Sequence, residues 1–267
     1  MLTGMVVPLL RYRRLIWQHA VADLRHRYAG TGLGVVWNVL HPLALIVIYS
    51  VVFSVILKGK AYGPDGRPIP YPLYLCAGLL PWLAFAECIT RGTNAFCENA
   101  AYLKKLPIPE QVFVAQTAAS ATLGLGISFS LLLIVSLGFG NRPTVWWLLL
   151  PIPLFALQAL GFALGLLCGT LNVFFRDIGQ LLTVALQVIL WTVPVVYPTP
   201  TDPDSWLAIV FRWHPIMPGL AAVRDLFLYA RAPSAWAWVG MVAWPALALA
   251  VAGMVFHKLR AEIRDVL

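Results

Sequence analysis

Charged residues are absent from six long stretches of this chain, and their distribution constrains its fold more than any other feature. A bilayer core about 30 Å thick is crossed by about 20 helical residues. A charged side chain at the centre of such a helix costs roughly 2.5–3.5 kcal/mol. Each uncharged stretch is therefore long enough for one membrane span. The six stretches are Tyr28–Leu57, Pro68–Ala86, Gln111–Asn141, Pro143–Phe175, Ile178–Thr201 and Ala232–His257.

The composition and the apolar runs indicate the class of protein. Only 11% of the residues are charged, whereas soluble domains have about 25%. A membrane β-barrel would alternate polar and apolar residues, and runs such as Leu43–Ile48 and Leu131–Val135 do not alternate. We therefore predict an all-α integral membrane protein that forms one domain over residues 1–267. The six spans are predicted over residues 35–57, 70–91, 112–138, 145–171, 178–198 and 234–257.

The balance of basic residues predicts the orientation of the chain. Six spans put both termini on the same side of the membrane. If that side is the cytoplasm, the inner segments hold twelve of the 19 Lys and Arg residues and the outer segments hold seven, which follows the positive-inside rule. The net charge of +8 is then a property of the membrane surface. Nucleic acid is the weaker alternative as a partner, because no soluble basic domain is evident to bind it.

The segment before the first span is predicted to be an amphipathic helix over residues 9–30. Apolar residues such as Leu10 and Trp17 recur at helical spacing, and basic residues occupy the other faces. Such a helix lies in the inner headgroup region, and a soluble helix with a solvated basic face is the alternative. Gly30 and Gly34 then allow a sharp turn into the first span.

The cytoplasmic loop over residues 97–110 contains a short predicted helix. The helix ends near Leu106, because the residue before a proline is disfavoured in the α region. Lys104 and Lys105 lie at its C-terminal end, where they suit the helix dipole. Such a helix is a suitable contact for a cytoplasmic partner. The alternative is a loop whose lysines only follow the positive-inside rule.

The outer segment before the last span is too long for a simple link and too apolar for a solvated loop. Two short apolar stretches, Trp206–Trp213 and Leu220–Tyr229, flank the proline-containing segment 214–219. At about 1.5 Å per residue, neither stretch is long enough to span a membrane. We predict two re-entrant helices within residues 204–230 that form an outer gate. An interfacial cover rich in Trp and Tyr is the alternative.

Few residues in this chain could carry out chemistry. The GxxxxGK[ST], HExxH and GxSxG motifs are absent, so neither a nucleotide-binding P-loop nor a hydrolase site is predicted. Glu87 and Asp225 are the acidic residues inside or beside spans, and Glu87 is spaced for an ion pair with Arg91 one helical turn later. The four Cys and five His residues show no metal-ligand spacing.

Two further patterns indicate local structure. Glycines recur every four residues in the fourth span, at positions 161, 165 and 169, which predicts close helix packing. The adjacent Arg176 and Asp177 after that span suggest a local ion pair or helix cap as readily as a functional role.

Aromatic residues are abundant, with 11 Trp, 9 Tyr and 13 Phe. Their rings stack on sugar rings, and they also anchor helices at membrane interfaces. For each ring alone, packing or anchoring competes with ligand contact. The candidates for a sugar-compatible channel lining are Trp37, Tyr49, Phe53, Trp82, Phe85, Trp191 and Tyr197.

A motif at the start of the first span carries a family resemblance. The pattern R-Y-x-G-[ST]-x-L-G-x-x-W-x-x-L-x-P is matched by Arg27, Tyr28, Gly30, Thr31, Leu33, Gly34, Trp37, Leu40 and Pro42. Further matching segments are Tyr49–Ser54, Gly78–Trp82, Asn94–Pro107, Phe174–Gly179 and Trp213–Ile216. Together they resemble the permease subunit of ABC-2-type polysaccharide exporters, in the branch that exports O-antigen and teichoic-acid-like glycans. His214 departs from this pattern, because the family usually has Asn there.

The resemblance implies the ABC-2 (type V-like) exporter fold and a homodimeric, multi-pass permease in the bacterial inner membrane. Two copies of a separate ATPase subunit would bind ATP and Mg on the cytoplasmic face, so this chain would have no cofactor and would not be an enzyme. Its cargo would be a lipid-linked polysaccharide, such as an O-antigen-like glycan on undecaprenyl diphosphate. Exporters of teichoic acid, capsule or a small molecule, and an intramembrane glycan enzyme, are the alternatives.

The resemblance also implies roles for individual segments. The first and fifth spans would line the channel, and the outer helices would gate it. We further predict that Arg25 and Arg27 hold the diphosphate by charge complementarity. The residues expected to couple to the ATPase are Asn99, Tyr102, Leu103, Lys104, Lys105, Pro107 and Glu110. The residues expected in the outer gate are Trp206, Trp213, His214 and Pro215.

Overall fold

The computed structural model describes residues 2–53, 61–64, 66–197 and 206–267, and these residues fold almost entirely into helices. In chain order the helices are α1 (Leu2–Arg11), α2 (Arg13–His26), α3 (Trp37–Val51), α4 (Tyr71–Glu98), α5 (Ala100–Lys105), α6 (Gln111–Gly138), α7 (Pro151–Phe174), α8 (Ile178–Thr192), α9 (Trp206–Trp213), α10 (Met217–Phe227) and α11 (Ala235–Val266). Helix α1 contacts α11, so both termini lie on one side, which we call the inner side.

A small β-hairpin departs from the all-α prediction. Strand β1 (Ala61–Tyr62) pairs antiparallel with β2 (Pro68–Ile69) on the outer side, between α3 and α4. Gly66 has a φ of +74° in the connecting turn, a conformation that glycine adopts without steric cost. The prediction of an all-α protein therefore holds for the spans and not for this loop.

Five segments of the described residues are long and apolar enough to cross a membrane. They are Gly34–Val51, Tyr71–Glu98, Gln111–Gly138, Val145–Phe174 and Ala235–Arg264. They match five of the six predicted spans, so the chain is a multi-pass membrane protein. Residues 54–57 of the predicted first span lie outside the described residues.

The predicted fifth span, over residues 178–198, is shorter than expected. Helix α8 has 15 residues, against the about 20 that a bilayer core requires. The chain then continues without helix through residue 197, and residue 198 lies outside the described residues. A sixth crossing by this segment stays a prediction.

Helix α4 is the centre of the bundle. The most apolar 18-residue window of α4 is 78% buried, whereas that of the first span is 11% buried. Helices α6 and α7 pack against α4, and α11 packs against α7. A Cβ on Gly169 would lie 2.6 Å from the carbonyl oxygen of Gly92, and one on Gly161 would lie 3.2 Å from Cβ of Cys88. The close packing predicted for the glycines of the fourth span is therefore confirmed.

Two helices replace the single amphipathic helix predicted over residues 9–30. Helices α1 and α2 are separated at Tyr12, and α2 packs along α6. The Asn38 side chain donates a hydrogen bond to the Leu24 carbonyl at 2.8 Å and so joins α2 to the first span. Gly30 and Gly34 have φ values of +85° and +49°, which confirms the predicted glycine turn.

The short helices on both sides form close to where the sequence predicts them. Helix α5 ends at Lys105, and Leu106 is extended before Pro107 with φ −110° and ψ 139°. Helix α9 has the predicted bounds, and α10 begins three residues before the predicted stretch. Helix α10 is buried along nearly its whole length and contacts α4, α7 and α11. A re-entrant position of these helices in the membrane stays a prediction.

Candidate functional site

Five side chains from three helices meet on the inner side and form what we call the inner polar cluster: Asp23, Arg27, Glu87, Arg91 and Ser120. Arg91 binds the Asp23 carboxylate with both terminal nitrogens, at 2.8 and 2.9 Å. Arg91 is also 3.3 Å from Glu87, which confirms the ion pair predicted from sequence. Arg27 donates to Glu87 at 2.5 Å, and the Ser120 hydroxyl donates to Asp23. The cluster joins α2 to α4 and α6.

The charges within the inner polar cluster cancel. Two carboxylates face two guanidinium groups, and the four side chains are 23–31% exposed. Partial burial raises the pKa of Asp23, but the hydrogen bonds from Arg91 and Ser120 and the charges of Arg91 and Arg27 outweigh it, so the pKa falls to about 2. Asp23 therefore remains ionised at neutral pH and keeps α2 attached to the bundle.

The two arginines predicted to hold a diphosphate lie in different environments. Arg27 is paired with Glu87 and lies 3.5 Å from Asp23. It lines a cleft of about 150 Å³ between α3, α4 and α6, together with Asn38 and His41. Arg25 is exposed and makes no ion pair with any of the described residues. Only Arg25 therefore presents an uncompensated charge.

The residues predicted to couple to an ATPase divide into exposed and inward-facing groups. Tyr102 is 59% exposed, and Lys104, Lys105 and Pro107 are also exposed. Leu103 is fully buried in the inner part of the core. The Asn99 side chain donates a hydrogen bond to the carbonyl of Ala95 at 2.8 Å and so stabilises the end of α4.

Glu110 forms a second inner ion-pair group, which we call the inner clamp. Its carboxylate accepts hydrogen bonds from Nε of Arg260 at 2.8 Å and Nε of Arg264 at 2.7 Å. The Glu110 side chain is 3% exposed, whereas the two arginines are 44% and 39% exposed. Arg264 also donates to the carbonyl of Ile108 at 3.2 Å. The inner clamp therefore joins the loop after α5 to the end of α11, a link that the sequence did not predict.

The predicted channel aromatics are not brought together into one lining. Trp82 and Phe85 are 3% and 1% exposed and pack against each other with ring centroids 5.8 Å apart. A buried ring offers no surface to a sugar, so these two residues contribute to packing in this conformation. Trp191 is 63% exposed.

The remaining channel candidates are half-buried. Tyr49 contacts Phe53 at a ring distance of 6.2 Å, and Phe53 stacks on Tyr71 at 5.4 Å. Trp37 packs against Tyr28 at 6.4 Å. Tyr197 lies at the outer end of the bundle, 6.5 Å from the ring of Phe211. A channel lining by this group stays a prediction.

The predicted gate residues lie at the junction of α9 and α10. Trp213 is 71% exposed, and His214 and Pro215 are half-buried. Burial lowers the pKa of His214, whose Nδ1 accepts a hydrogen bond from the amide of Ile216 at 3.4 Å. Trp206 begins α9, but its side chain lies outside the described part of the chain.

Three side chains that the sequence analysis did not single out bind the segment that follows α8. Arg224 donates hydrogen bonds to the carbonyls of Pro194 and Val195, both at 2.9 Å. Tyr71 donates to the carbonyl of Val196 at 2.7 Å, and Tyr74 donates to that of Tyr197 at 3.4 Å. We call Arg224, Tyr71 and Tyr74 the outer clamp. A lone cation inside an apolar stretch was the signal that could have identified Arg224.

Metal-ligand geometry is not found in the described residues, where no three His, Cys, Asp or Glu side chains are grouped to hold an ion. The arrangement of exposed helices, ion pairs and apolar spans provides surfaces for partners and helix movement. It does not bring together an acid, a base and a nucleophile among the described residues. The described part of the chain therefore supports binding and conformational change rather than covalent chemistry.

Comparison with known proteins identifies the family. The chain is 26% identical over 265 residues to the O-antigen export system permease protein RfbA of Myxococcus xanthus, with 98% of each chain covered. It is 26% identical over 249 residues to the protein of the same name from Klebsiella pneumoniae, with 92% of each covered. It is 22% identical over 196 residues to the polysialic acid transport protein KpsM of Escherichia coli, with 73% of this chain and 74% of that protein covered. Residues 14–228 match the sequence model of the ABC-2 type transporter, and the chain belongs to that family.

Proposed function

We propose that this chain is the permease subunit of an ATP-driven exporter that moves a lipid-linked, O-antigen-like polysaccharide outward across the bacterial inner membrane. The observation that carries the proposal is the similarity to an O-antigen export permease over 98% of the chain. Membership of an ABC transporter family implies an ATPase partner, and the sequence has no P-loop of its own. A separate ATPase subunit, present in two copies, would bind the ATP and Mg.

An uncovered face of α8 supports a homodimer. Leu181, Val184, Val188 and Trp191 are 64%, 62%, 55% and 63% exposed, and their spacing places them on one face of the helix. The first span is equally uncovered, with 11% of its apolar window buried. A second copy of the chain would cover these faces and enclose a channel between α3 and α8 of both copies. Trp191 would then face the polymer.

Arg25 is the better candidate for contact with the diphosphate of the lipid carrier. A diphosphate is strongly anionic, and it needs cations whose charge is not already compensated. Arg25 is exposed, whereas Arg27 is paired with Glu87. We expect Arg25→Ala to reduce export at limiting carrier concentration, and full export by the double variant Arg25→Ala, Arg27→Ala would contradict this role.

The exposed face of α5 is the proposed contact with the ATPase. Tyr102 supplies an apolar ring, and Lys104 and Lys105 supply positive charge at the inner surface. The inner clamp would pass movement of this loop to α11. We expect the variant Lys104→Ala, Lys105→Ala to lower glycan-stimulated ATP hydrolysis, and unchanged stimulation and export would contradict the contact.

A second candidate substrate is a capsule-type polysaccharide. The similarity to the polysialic acid transport protein KpsM favours it, although the identity and the coverage are lower than for the O-antigen permeases. Both candidates predict the same architecture. They differ in the polymer and in the lipid that carries it.

Reconstitution of the complete exporter tests the proposal. The chain is co-expressed and purified with the ATPase encoded beside it, and the complex is placed in vesicles with a defined undecaprenyl-diphosphate-linked polymer. We expect ATP-dependent movement of the polymer, which stops when the ATPase carries a P-loop Lys→Ala substitution. Failure of the two chains to copurify would contradict the proposal, and movement of only a capsule-type polymer would favour the second candidate.

A further inference from the structure

The outer end of α8 is fixed by an unusual set of hydrogen bonds. Four consecutive backbone carbonyls, those of residues 194–197, each accept a hydrogen bond from a side chain of the outer clamp. Those carbonyls follow the last turn of α8, where the chain has left the helix. Other elements therefore satisfy the backbone groups of this segment, because the helix no longer does so.

The site around Arg224 is shaped for a guanidinium group. Arg224 is 3% exposed, and its Cζ lies 4.0 Å from the centre of the Tyr74 ring, a cation–π geometry. The neighbouring Asp225 does not neutralise it, because the Asp225 carboxylate binds Arg231 at 2.7 Å. Gly78 leaves the required space, since a Cβ there would lie 2.6 Å from Nη2 of Arg224.

The carbonyls at the end of α8 supply the negative charge that this buried cation requires. The C-terminal end of a helix carries a partial negative charge, which stabilises a nearby cation. Both terminal nitrogens of Arg224 are used on two adjacent carbonyls, a fork geometry that a lysine cannot reproduce. The outer clamp is thus specific for arginine and for the position of the chain after α8.

The inner end of α8 is attached much more weakly. There the amide of Gly179 donates one hydrogen bond to the side chain of Asn172 at 3.2 Å. Leu186 is the one residue of α8 that is buried in the described structure. Few packing contacts therefore oppose movement of the inner half, whereas the outer clamp opposes movement of the outer end.

We propose that Arg224, with Tyr71 and Tyr74, is a positioning residue that fixes the outer end of α8 as the point about which this helix pivots during transport. The inference rests on the proposed function, in which α8 lines the channel. Movement of the ATPase would enter at the inner loop before α8 and swing its inner half. The outer clamp keeps the exit end in place, so the channel opens from the inner side while its outer rim stays aligned with α10.

Distances between spin labels in the complete exporter test the pivot. One pair, Leu181→Cys with Met254→Cys, reports on the inner ends of α8 and α11, and another, Val188→Cys with Val239→Cys, reports on their outer ends. These four positions are 52–68% exposed. Cys97 and Cys168 are replaced, whereas Cys76 and Cys88 are buried and do not react. We expect the inner distance to change between the nucleotide-free and ATP-trapped states and the outer distance to stay constant.

Variants of the outer clamp should release the outer end. Arg224→Met is expected to broaden the outer distance distribution, make it depend on ATP and reduce export several-fold, and Arg224→Lys should restore part of the loss. Gly78→Ala attacks the same site without removing the arginine, so it decides the question if Arg224→Met does not fold. Tyr62→Phe is the control for handling, because Tyr62 is 56% exposed in the hairpin and lies outside the clamp.

Two results separate this inference from the proposed function. If the wild-type complex exports the polymer but its outer distance changes as much as its inner distance, the pivot is wrong and the proposed function stands. The same conclusion follows if Gly78→Ala and Arg224→Met both leave the outer distance and export unchanged. A wild-type chain that neither binds the ATPase nor exports overturns the proposed function itself.

Discussion

The inner and outer sides of this bundle attach their peripheral elements by different chemistry. On the inner side, the inner polar cluster and the inner clamp join arginines to carboxylates, and six of these seven charged side chains are 23–44% exposed. On the outer side, the buried Arg224 binds backbone carbonyls and a tyrosine ring. Water and salt reach the inner ion pairs and weaken them, but they do not reach the outer clamp. The inner attachments are therefore suited to break and re-form where the proposed ATPase acts, and the outer one is suited to stay.

Removing both arginines of the inner clamp has the largest expected effect on stability. The Glu110 side chain is 3% exposed, so the variant Arg260→Ala, Arg264→Ala leaves a buried carboxylate without a counter-ion. Breaking a buried ion pair in this way costs about 3–5 kcal/mol. We expect the free energy of unfolding to fall by that amount, as measured by equilibrium unfolding in mixed micelles.

The matched control removes the carboxylate instead. In Glu110→Gln the two arginines are 44% and 39% exposed, so water can solvate them, and the amide oxygen still accepts a hydrogen bond. The expected loss is about 1–3 kcal/mol. If Glu110→Gln destabilised the protein more than the double arginine variant, the buried carboxylate would not be the sensitive group.

Removing Asp23 should release α2 from the bundle. Asp23→Ala deletes the two hydrogen bonds from Arg91 and the one from Ser120. Because these side chains are partly exposed, we expect a loss of about 1–3 kcal/mol. Hydrogen exchange of the α2 amides should accelerate, with little change in α10.

A charge swap sharpens the contrast between the two sides. The double variant Asp23→Arg, Arg91→Asp restores an opposite-charge pair, and we expect it to recover part of the protection of α2. The outer clamp permits no such swap, because the acceptors of Arg224 are main-chain carbonyls. Unchanged exchange of α2 in the single variant Asp23→Ala would show that packing on α6 alone holds this helix.

The sequence predicted the local part of the inner side and not the long-range part. The pair Glu87–Arg91 followed from helical spacing and is confirmed at 3.3 Å. Asp23 lies 68 positions from Arg91, and no local pattern connects them. The same contact explains an error of boundary: Arg91 was taken as the end of a span, but α4 continues to Glu98 because the charge of Arg91 is compensated within the cluster.

The outer side was predicted in outline for the same reason. Apolar runs separated by prolines gave α9 at its observed bounds and α10 to within three residues. The sequence drew attention to Asp225 as an ionisable group near a span, whereas the buried group that binds the end of α8 is its neighbour Arg224. Helical periodicity shows which residues share a face, but it does not show which carbonyls of another segment that face meets.

Removing one hydroxyl group tests the outer clamp at a finer scale. Tyr71→Phe deletes the hydrogen bond to the carbonyl of Val196 and leaves the ring stacked on Phe53. We expect a loss of about 0.5–1.5 kcal/mol in the free energy of unfolding. Hydrogen exchange near residues 194–197 should accelerate while that of α2 does not. Equal acceleration in α2 would indicate global destabilisation rather than a local contact.

Acidification gives the smallest effect, and it should act on the inner side alone. The pKa of Asp23 is lowered to about 2, against about 3.9 for an unfolded chain. A lowered pKa means that the stability from Asp23 is fully present above about pH 4 and is lost as the pH falls towards 2. A spin label at Trp17→Cys in α2 should therefore show no change in mobility between pH 7 and pH 5 and increasing mobility below about pH 4. The outer clamp has no carboxylate to protonate, so a label at Val188→Cys should stay constant over the same range. An increase in the mobility of α2 already between pH 7 and pH 5 would contradict the attachment of this helix through an ionised Asp23.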